Sequence, residues 1–120
     1  MNNFRETFKL QCTSFEYTVN ESKGIVVATG KFYIPNCVLL KDTLETIGIA
    51  RVNTNAGDIF DTKKGKKIAR ARAEKEAYHQ LKILAMEYKE RIGNEVLKAQ
   101  NTIDKMNACI QHQKEYIKSF

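Results

Sequence analysis

The chain has 120 residues, a formal net charge of +6, and hydrophobic and charged fractions of 42% and 28%. These totals suit one modest core and exclude a large catalytic scaffold with a separate substrate domain. No run approaches the roughly 18 apolar residues of a membrane span, and nothing at the N-terminus resembles a signal peptide, so we expect no membrane partner and a cytoplasmic location. Cys12, Cys37 and Cys109 fit neither a disulfide framework nor a zinc spacing.

The N-terminal half predicts an antiparallel sheet of three or more strands. Apolar residues alternate up to Cys12 and again from Phe15, and the single slip in phase between them predicts a long first strand with a bulge. Residues 20–24 supply turn chemistry, and the segment after them is rich in β-branched and aromatic residues, which indicates a β-hairpin. A third extended run follows Pro35 and carries Ile47 and Ile49 on one side.

The C-terminal half predicts two long helices. Asp61 is the expected N-cap of the first, whose apolar stripe would lie against the sheet or a partner helix. The pair Gly93-Asn94 predicts a kink or a helical hairpin near 93–94, and both forms remain open. The expected fold class is therefore α+β in a single domain, 1–120, with the sheet in 1–61 and the helices in 62–120. The expected stripe comprises Ala71, Tyr78, Leu81, Ala85, Tyr88 and Ile92.

Beyond residue 94, the apolar residues follow a heptad seam. Their steps alternate between three and four, except that Gln113 takes one expected apolar position. A narrow seam on a long helix needs a partner, because a small sheet cannot cover both helices along their length. We expect a homo-oligomer through the C-terminal helices, and the alternative is an intramolecular antiparallel helix pair. The seam comprises Val96, Ala99, Ile103, Met106, Ile110, Ile117 and Phe120.

The positive charge is concentrated at the start of the first helix. Residues 1–61 carry a net charge of −1 and residues 62–120 a net charge of +7. Cations at a helix N-terminus oppose the helix dipole, so function rather than local stability favours them there. We expect the side chains of this cluster to bind an anionic ligand together with the N–H groups of the first turn. The candidate ligand-binding residues are Arg51, Phe60, Lys63, Lys66, Lys67 and Arg70.

Each of these residues also has a structural interpretation. The lysine-rich segment is equally typical of a solvated helix face, Phe60 of a core residue between sheet and helix, and Arg51 of an edge-strand charge. Asp58 and Asp61 fit an Asx turn and an N-cap better than a metal site or an acid–base pair. With no phosphate loop and no nucleophile motif either, we expect no enzyme, no catalytic residue, no metal and no cofactor.

One motif resembles a pattern in small bacteriophage proteins: a strand ending in Gly-x-Ala, a polar loop, then Phe-Asp, three residues, Gly, and a helix with Ala and Arg-Ala. The matching residues here are Gly48, Ala50, Phe60, Asp61, Gly65, Ala69, Arg72 and Ala73. In its order of a small β-sheet before long helices, the chain also looks like the Thoeris anti-defence sponges. That resemblance implies a non-enzymatic phage protein in the host cytoplasm that sequesters a cyclic nucleotide, such as a cyclic ADP-ribose isomer, without cleaving it.

Two alternatives stand beside this interpretation. The segment KKGKKIARARAEKEA resembles the basic helix start of double-stranded RNA-binding domains, which follows three strands and contacts phosphates. This chain lacks the helix that those domains place before the sheet, and they lack its long C-terminal helices. A nucleic-acid ligand is thus possible, although a cyclic nucleotide is preferred. The third class is an inhibitor of a host protein that acts through its helical surface.

Overall fold

The structure is a computed structural model that describes residues 7–52 and 61–120. It contains three strands, β1 (Gln11–Asn20), β2 (Ile25–Tyr33) and β3 (Thr43–Arg51), followed by one helix, α1 (Thr62–Lys118). The strands form one antiparallel sheet in the order β1-β2-β3. The α+β class and the three-stranded sheet are thereby confirmed. The expected loop 53–58 and Phe60 lie outside the described residues.

The bulge in β1 lies where the sequence phase slips. Cys12 pairs with Phe32 and Ser14 with Lys31, so Thr13 has no partner of its own in the register. The Thr13 hydroxyl donates a hydrogen bond to the Lys31 carbonyl oxygen, 3.0 Å away. The inserted residue shifts the alternation by one position, and Phe15 therefore lies on the same sheet face as the buried residues of β2.

The turn between β1 and β2 is closed by Asn20 and Gly24. The Asn20 carboxamide oxygen accepts hydrogen bonds from the Ser22 hydroxyl at 2.7 Å and from the Lys23 backbone N–H at 3.1 Å. Gly24 has a φ of 64°, a conformation that glycine adopts without steric cost. The expected hairpin is confirmed, and the contacts that close its turn involve only residues of the turn itself.

The expectation of two C-terminal helices is wrong, because α1 is continuous from Thr62 to Lys118 and includes Gly93. Glycine costs only about 1 kcal/mol relative to alanine in a helix interior, and the strong helix formers Arg91 and Glu95 lie two residues away on either side. A single residue with so small a free-energy cost does not end a helix. The hairpin form is excluded, and the heptad seam belongs to the same helix that covers the sheet.

Replacement of Gly93 by alanine is expected to stabilise the protein. A Cβ atom at this position meets no atom within 4 Å, so the substitution creates no clash and only restricts the unfolded chain. We expect a gain of about 0.5–1 kcal/mol and a higher helical signal in circular dichroism. A loss of helical signal on this substitution would show that residue 93 is not helical in solution.

The first half of α1 packs on the sheet through small residues. Gly48 of β3 lies so close to α1 that a Cβ atom there would overlap the Ala69 carbonyl oxygen and the Ala73 nitrogen. The buried Thr46 hydroxyl donates a hydrogen bond to the Ala73 carbonyl oxygen at 2.7 Å. Sheet backbone and helix backbone are therefore nearly in contact. The buried residues of α1 are Gly65, Ala69, Ala73, Ala77 and Leu84.

The apolar stripe expected from hydropathy packs on the sheet only in part, since Leu81 packs against the buried core cluster and Ala85 is half-buried. Ala71 and Tyr78 are exposed, and Tyr78 keeps 59% of its surface accessible. Hydropathy favours large side chains, whereas close approach of two backbones selects small ones. Ile47 and Ile49 likewise lie on the face of the sheet that α1 does not cover, while Leu44 and Ala50 are buried.

The chain divides into two units, Met1–Ala85 and Met86–Phe120. In the first, the larger side chains Phe32, Ile34 and Leu44 form a cluster with Ala77 and Leu84 of α1. In the second, which is helical to Lys118, every residue from position 89 onward is exposed. No described helical stretch is apolar enough to cross a lipid bilayer.

Candidate functional site

Four of the predicted site residues lie together on the first turns of α1. Lys63, Lys66, Lys67 and Arg70 are all exposed. At 3.6 residues per turn their side chains fall within an arc of roughly 100° around the helix axis. This set is called the basic face below. Lys63 and Lys67 lie toward the solvent side of the helix, whereas Lys66 and Arg70 adjoin the side that contacts the sheet.

Two cations of the basic face lie over aromatic rings of β1. The Lys66 ammonium is 5.5 Å from the centroid of the Tyr17 ring, and the Arg70 guanidinium carbon is 4.5 Å from the centroid of Phe15. The two rings stack on each other with centroids 6.1 Å apart. Both distances are those of cation–π contacts. These contacts hold one edge of the basic face against β1, and no local sequence pattern predicts them.

Arg70 is also engaged within its own helix. Its Nε donates a hydrogen bond to Glu74 Oε1 at 2.8 Å, one turn further along. Hydrogen bonds to Glu74 and to Tyr17 raise the pKa of the guanidinium above its ordinary value. Arg70 therefore stays charged, but Glu74 offsets part of the field that a ligand would meet. Its role is as much structural as electrostatic.

Lys63 and Lys67 are the cations most available to a ligand. Neither makes an ion pair with any residue of the ranges 7–52 and 61–120. They lie one turn apart, so both ammonium groups can reach neighbouring anionic groups of one ligand. Exposed lysines without an ion pair are expected both on a solvated helix face and on a binding face. The two interpretations are distinguished by whether mutation of these lysines weakens ligand binding.

Asp61 caps the helix, as predicted. Its carboxylate oxygen Oδ1 accepts a hydrogen bond from the Lys64 backbone N–H at 3.1 Å, and its carbonyl oxygen accepts one from Gly65 N–H at 2.8 Å. An internal carboxylate thus already occupies the Lys64 N–H, one of the groups expected to hold the ligand, and would repel an incoming anion. Contact with a ligand consequently falls to the lysine side chains.

The structure does not bring Arg51 to the basic face. Arg51 ends β3, pairs with Ile25 and alternates with the buried Ala50, so it lies on the sheet face that α1 does not cover. Arg72 contacts β3 instead and donates a hydrogen bond from Nη1 to the Ile49 carbonyl oxygen. Phe60 lies outside the described residues.

A depression of about 840 Å³ lies at the far end of the sheet from the β1–β2 turn. It has the size of a small-molecule site, carries two lysines and a tyrosine, and was not found from sequence. Glu45 faces Lys31 across β2 and β3 and lowers the net positive charge there. The lining residues are Thr13, Lys31, Phe32, Tyr33, Lys41, Thr43, Leu44 and Glu45.

Four residues of the motif between Gly48 and Ala73 have a packing role here. Gly48, Ala69 and Ala73 form the closest approach between sheet and helix, and a Cβ atom at Gly65 would lie 2.8 Å from Val26 Cγ2. These positions need small residues whatever the protein binds. A comparison of the chain with protein-family models, with curated proteins and with solved structures finds no match.

Proposed function

We propose that the protein is a non-enzymatic binding protein whose basic face contacts the phosphates of nucleic acid. The observation that carries the proposal is that Lys63 and Lys67 are exposed on the open surface of a helix beside Lys66 and make no ion pair within residues 7–52 and 61–120. Small-molecule sites are concave and enclose most of their ligand, whereas a polyanion is held by a row of cations on an open surface. The shape of the basic face thus favours an extended ligand.

A phage anti-defence role in the host cytoplasm is part of this proposal. A protein that sequesters a ligand without cleaving it needs a surface and no catalytic group. The four cations of the basic face supply such a surface. The role itself comes from the resemblance to phage proteins, and an assay of phage growth in the presence of a bacterial defence system would test it.

A second candidate ligand is a small nucleotide signal such as a cyclic ADP-ribose isomer. The depression favours it, because Lys31 and Lys41 can approach phosphates there and the Tyr33 ring can stack on a base. This ligand would occupy a site on the sheet rather than the basic face. Substitution of Lys31 by glutamate therefore separates the two candidates.

The reversal of Lys63 and Lys67 to glutamate tests the basic face. We expect K63E/K67E to weaken binding of duplex RNA or DNA at least tenfold and to reduce the salt slope by about 2, one unit for each lost phosphate contact. The variant should melt no lower than the parent, because carboxylates near a helix N-terminus suit the dipole. Arg70 is left intact, since its contacts with Phe15 and Glu74 support the fold.

The matched control is K98E/K105E, which makes the same change in net charge within residues 86–120. Fluorescence polarisation at two salt concentrations should give parental affinity for the control. Equal binding by K63E/K67E and the parent would refute the proposal that the basic face binds nucleic acid.

Calorimetry with cyclic ADP-ribose isomers, repeated on Lys31→Glu, tests the depression. If neither nucleic acid nor a cyclic nucleotide binds, a host protein is left as the target.

We also propose that the chain forms a homo-oligomer through the second half of α1. The support is the exposed seam: Ile103, Ile110 and Ile117 keep 52%, 53% and 68% of their surface accessible. The chain has no second C-terminal helix among its described residues to cover them. Light scattering should give a multiple of 13.8 kDa, and a monomer at high micromolar concentration would contradict self-association.

A further inference from the structure

The seam of α1 has an uninterrupted heptad register from Val96 to Phe120. Eight successive positions alternate between steps of three and four residues, and the first seven lie within one continuous helix, which ends at Lys118 before Phe120. In coiled-coil notation the a positions are Val96, Ile103, Ile110 and Ile117, and the d positions are Ala99, Met106, Gln113 and Phe120. All of them are exposed.

The a positions favour a two-stranded assembly. Each carries a β-branched residue and no d position does, a distribution that in parallel coiled coils favours pairs, whereas β-branched residues at both a and d favour larger bundles. Most of the adjoining e and g positions are uncharged, and the two charges among them, Glu95 and Lys114, are opposite in sign, so charge repulsion between two copies is small. These features suit a second copy of the same chain, because each a residue then packs against the same residue of the other copy.

Gln113 decides the direction of the pair. In a parallel, in-register pair it faces Gln113 of the other copy, and each amide can donate one hydrogen bond and accept one. In an antiparallel pair, d positions face a positions, so the amide would oppose a β-branched side chain and lose its hydrogen bonds to water without replacement. A single polar seam residue sets register and direction at some cost in stability.

We propose that two copies of the chain pair through residues 96–118 as a parallel, in-register coiled coil in which Gln113 contacts its own counterpart. The proposal rests on the self-association stated under Proposed function and adds its stoichiometry, register and direction. Since residue 85 precedes the seam in both copies, a parallel pair places two Met1–Ala85 units at the same end of the coiled coil.

Disulfide cross-linking tests direction and register together. In a background with Cys12, Cys37 and Cys109 replaced by serine, Ile103→Cys and Met106→Cys are made separately, one of them with a mass tag. A disulfide forms only between β-carbons that lie close together. Oxidation after co-refolding should give each variant cross-linked to itself, because in the parallel pair position 103 faces 103 and position 106 faces 106.

Each other outcome overturns the proposal. Mixed 103–106 disulfides in preference to the two self-disulfides indicate an antiparallel pair. Dimers that form no disulfide at either position indicate a shifted register, and a mass above two chains in light scattering refutes the stoichiometry. A monomer refutes self-association itself and leaves the basic face untouched, since K63E/K67E and nucleic-acid binding test that independently.

Gln113→Leu provides a second measurement that does not depend on oxidation. The substitution should strengthen association at least tenfold and allow mixed disulfides to appear, because the polar residue that excludes the antiparallel form is gone. The control is Gln111→Leu at an outer position, where the Gln111 amide donates a hydrogen bond to Glu115 Oε1 at 3.4 Å, and it should change association less than twofold. Unchanged selectivity in Gln113→Leu would show that this residue does not set the direction.

Discussion

Replacement of Gly48 by alanine is expected to destabilise the protein by about 3 kcal/mol or more. The added methyl group would overlap the Ala69 carbonyl oxygen and the Ala73 nitrogen, and both are backbone atoms that cannot move by a change of rotamer. Overpacking of an interior costs about 1–3 kcal/mol when side chains can adjust, and more when they cannot. The helix would have to move away from the sheet, which would also stretch the Thr46–Ala73 hydrogen bond.

Urea denaturation followed by circular dichroism measures the effect, and a fall in melting temperature of more than about 10 °C should accompany it. Gly93→Ala is the matched control, since it makes the same chemical change in open space. The two substitutions should therefore shift stability in opposite directions. A Gly48→Ala variant as stable as the parent would mean that sheet and helix do not approach as closely as described.

The local features of the fold were predictable because each depends on a few neighbouring residues. The bulge after Cys12 follows from a slip in alternation, and the Asp61 cap follows from a carboxylate ahead of a helical segment. The small residues of α1 that pack on the sheet could not be predicted in this way. A small side chain is a weaker predictor of a packing face than a large one such as Tyr78, and only the close approach of Gly48 to the helix explains why small residues are needed there.

The predicted break at Gly93 shows a related difficulty. A glycine within a helical pattern is compatible with a helix end, a kink or an uninterrupted helix. The free-energy differences among these are about 1 kcal/mol, so the flanking residues and their packing decide the outcome. The heptad register was recognised, but its place on the same helix as the basic face was not.

The candidate site was predictable in part. A run of lysines at helical spacing placed Lys63, Lys66, Lys67 and Arg70 on one surface, because helix geometry alone brings them together. The rings of Phe15 and Tyr17 lie more than forty residues away in the chain, and no local pattern links them to the cations. Arg51 was misplaced because its direction depends on the register of β3.

The double substitution Ile103→Asp/Ile110→Asp is expected to abolish self-association. Each isoleucine would bury an apolar side chain in the pair, and burial of such a side chain contributes about 1.5–3 kcal/mol. Each aspartate would instead place a carboxylate opposite the same carboxylate of the second copy, without a counter-charge. Association should weaken by at least about a thousandfold, since each factor of ten corresponds to 1.4 kcal/mol.

Sedimentation or light scattering across a concentration series measures this loss, and Asn101→Asp/Ala108→Asp is the control. Both control positions lie on the side of α1 away from the seam, so two added carboxylates there should leave the oligomer intact. Circular dichroism should also show lower helicity in the seam variant, because a helix without buried contacts is marginal in water. Oligomerisation that survives the seam substitutions would move the interface to the exposed sheet face that carries Ile47 and Ile49.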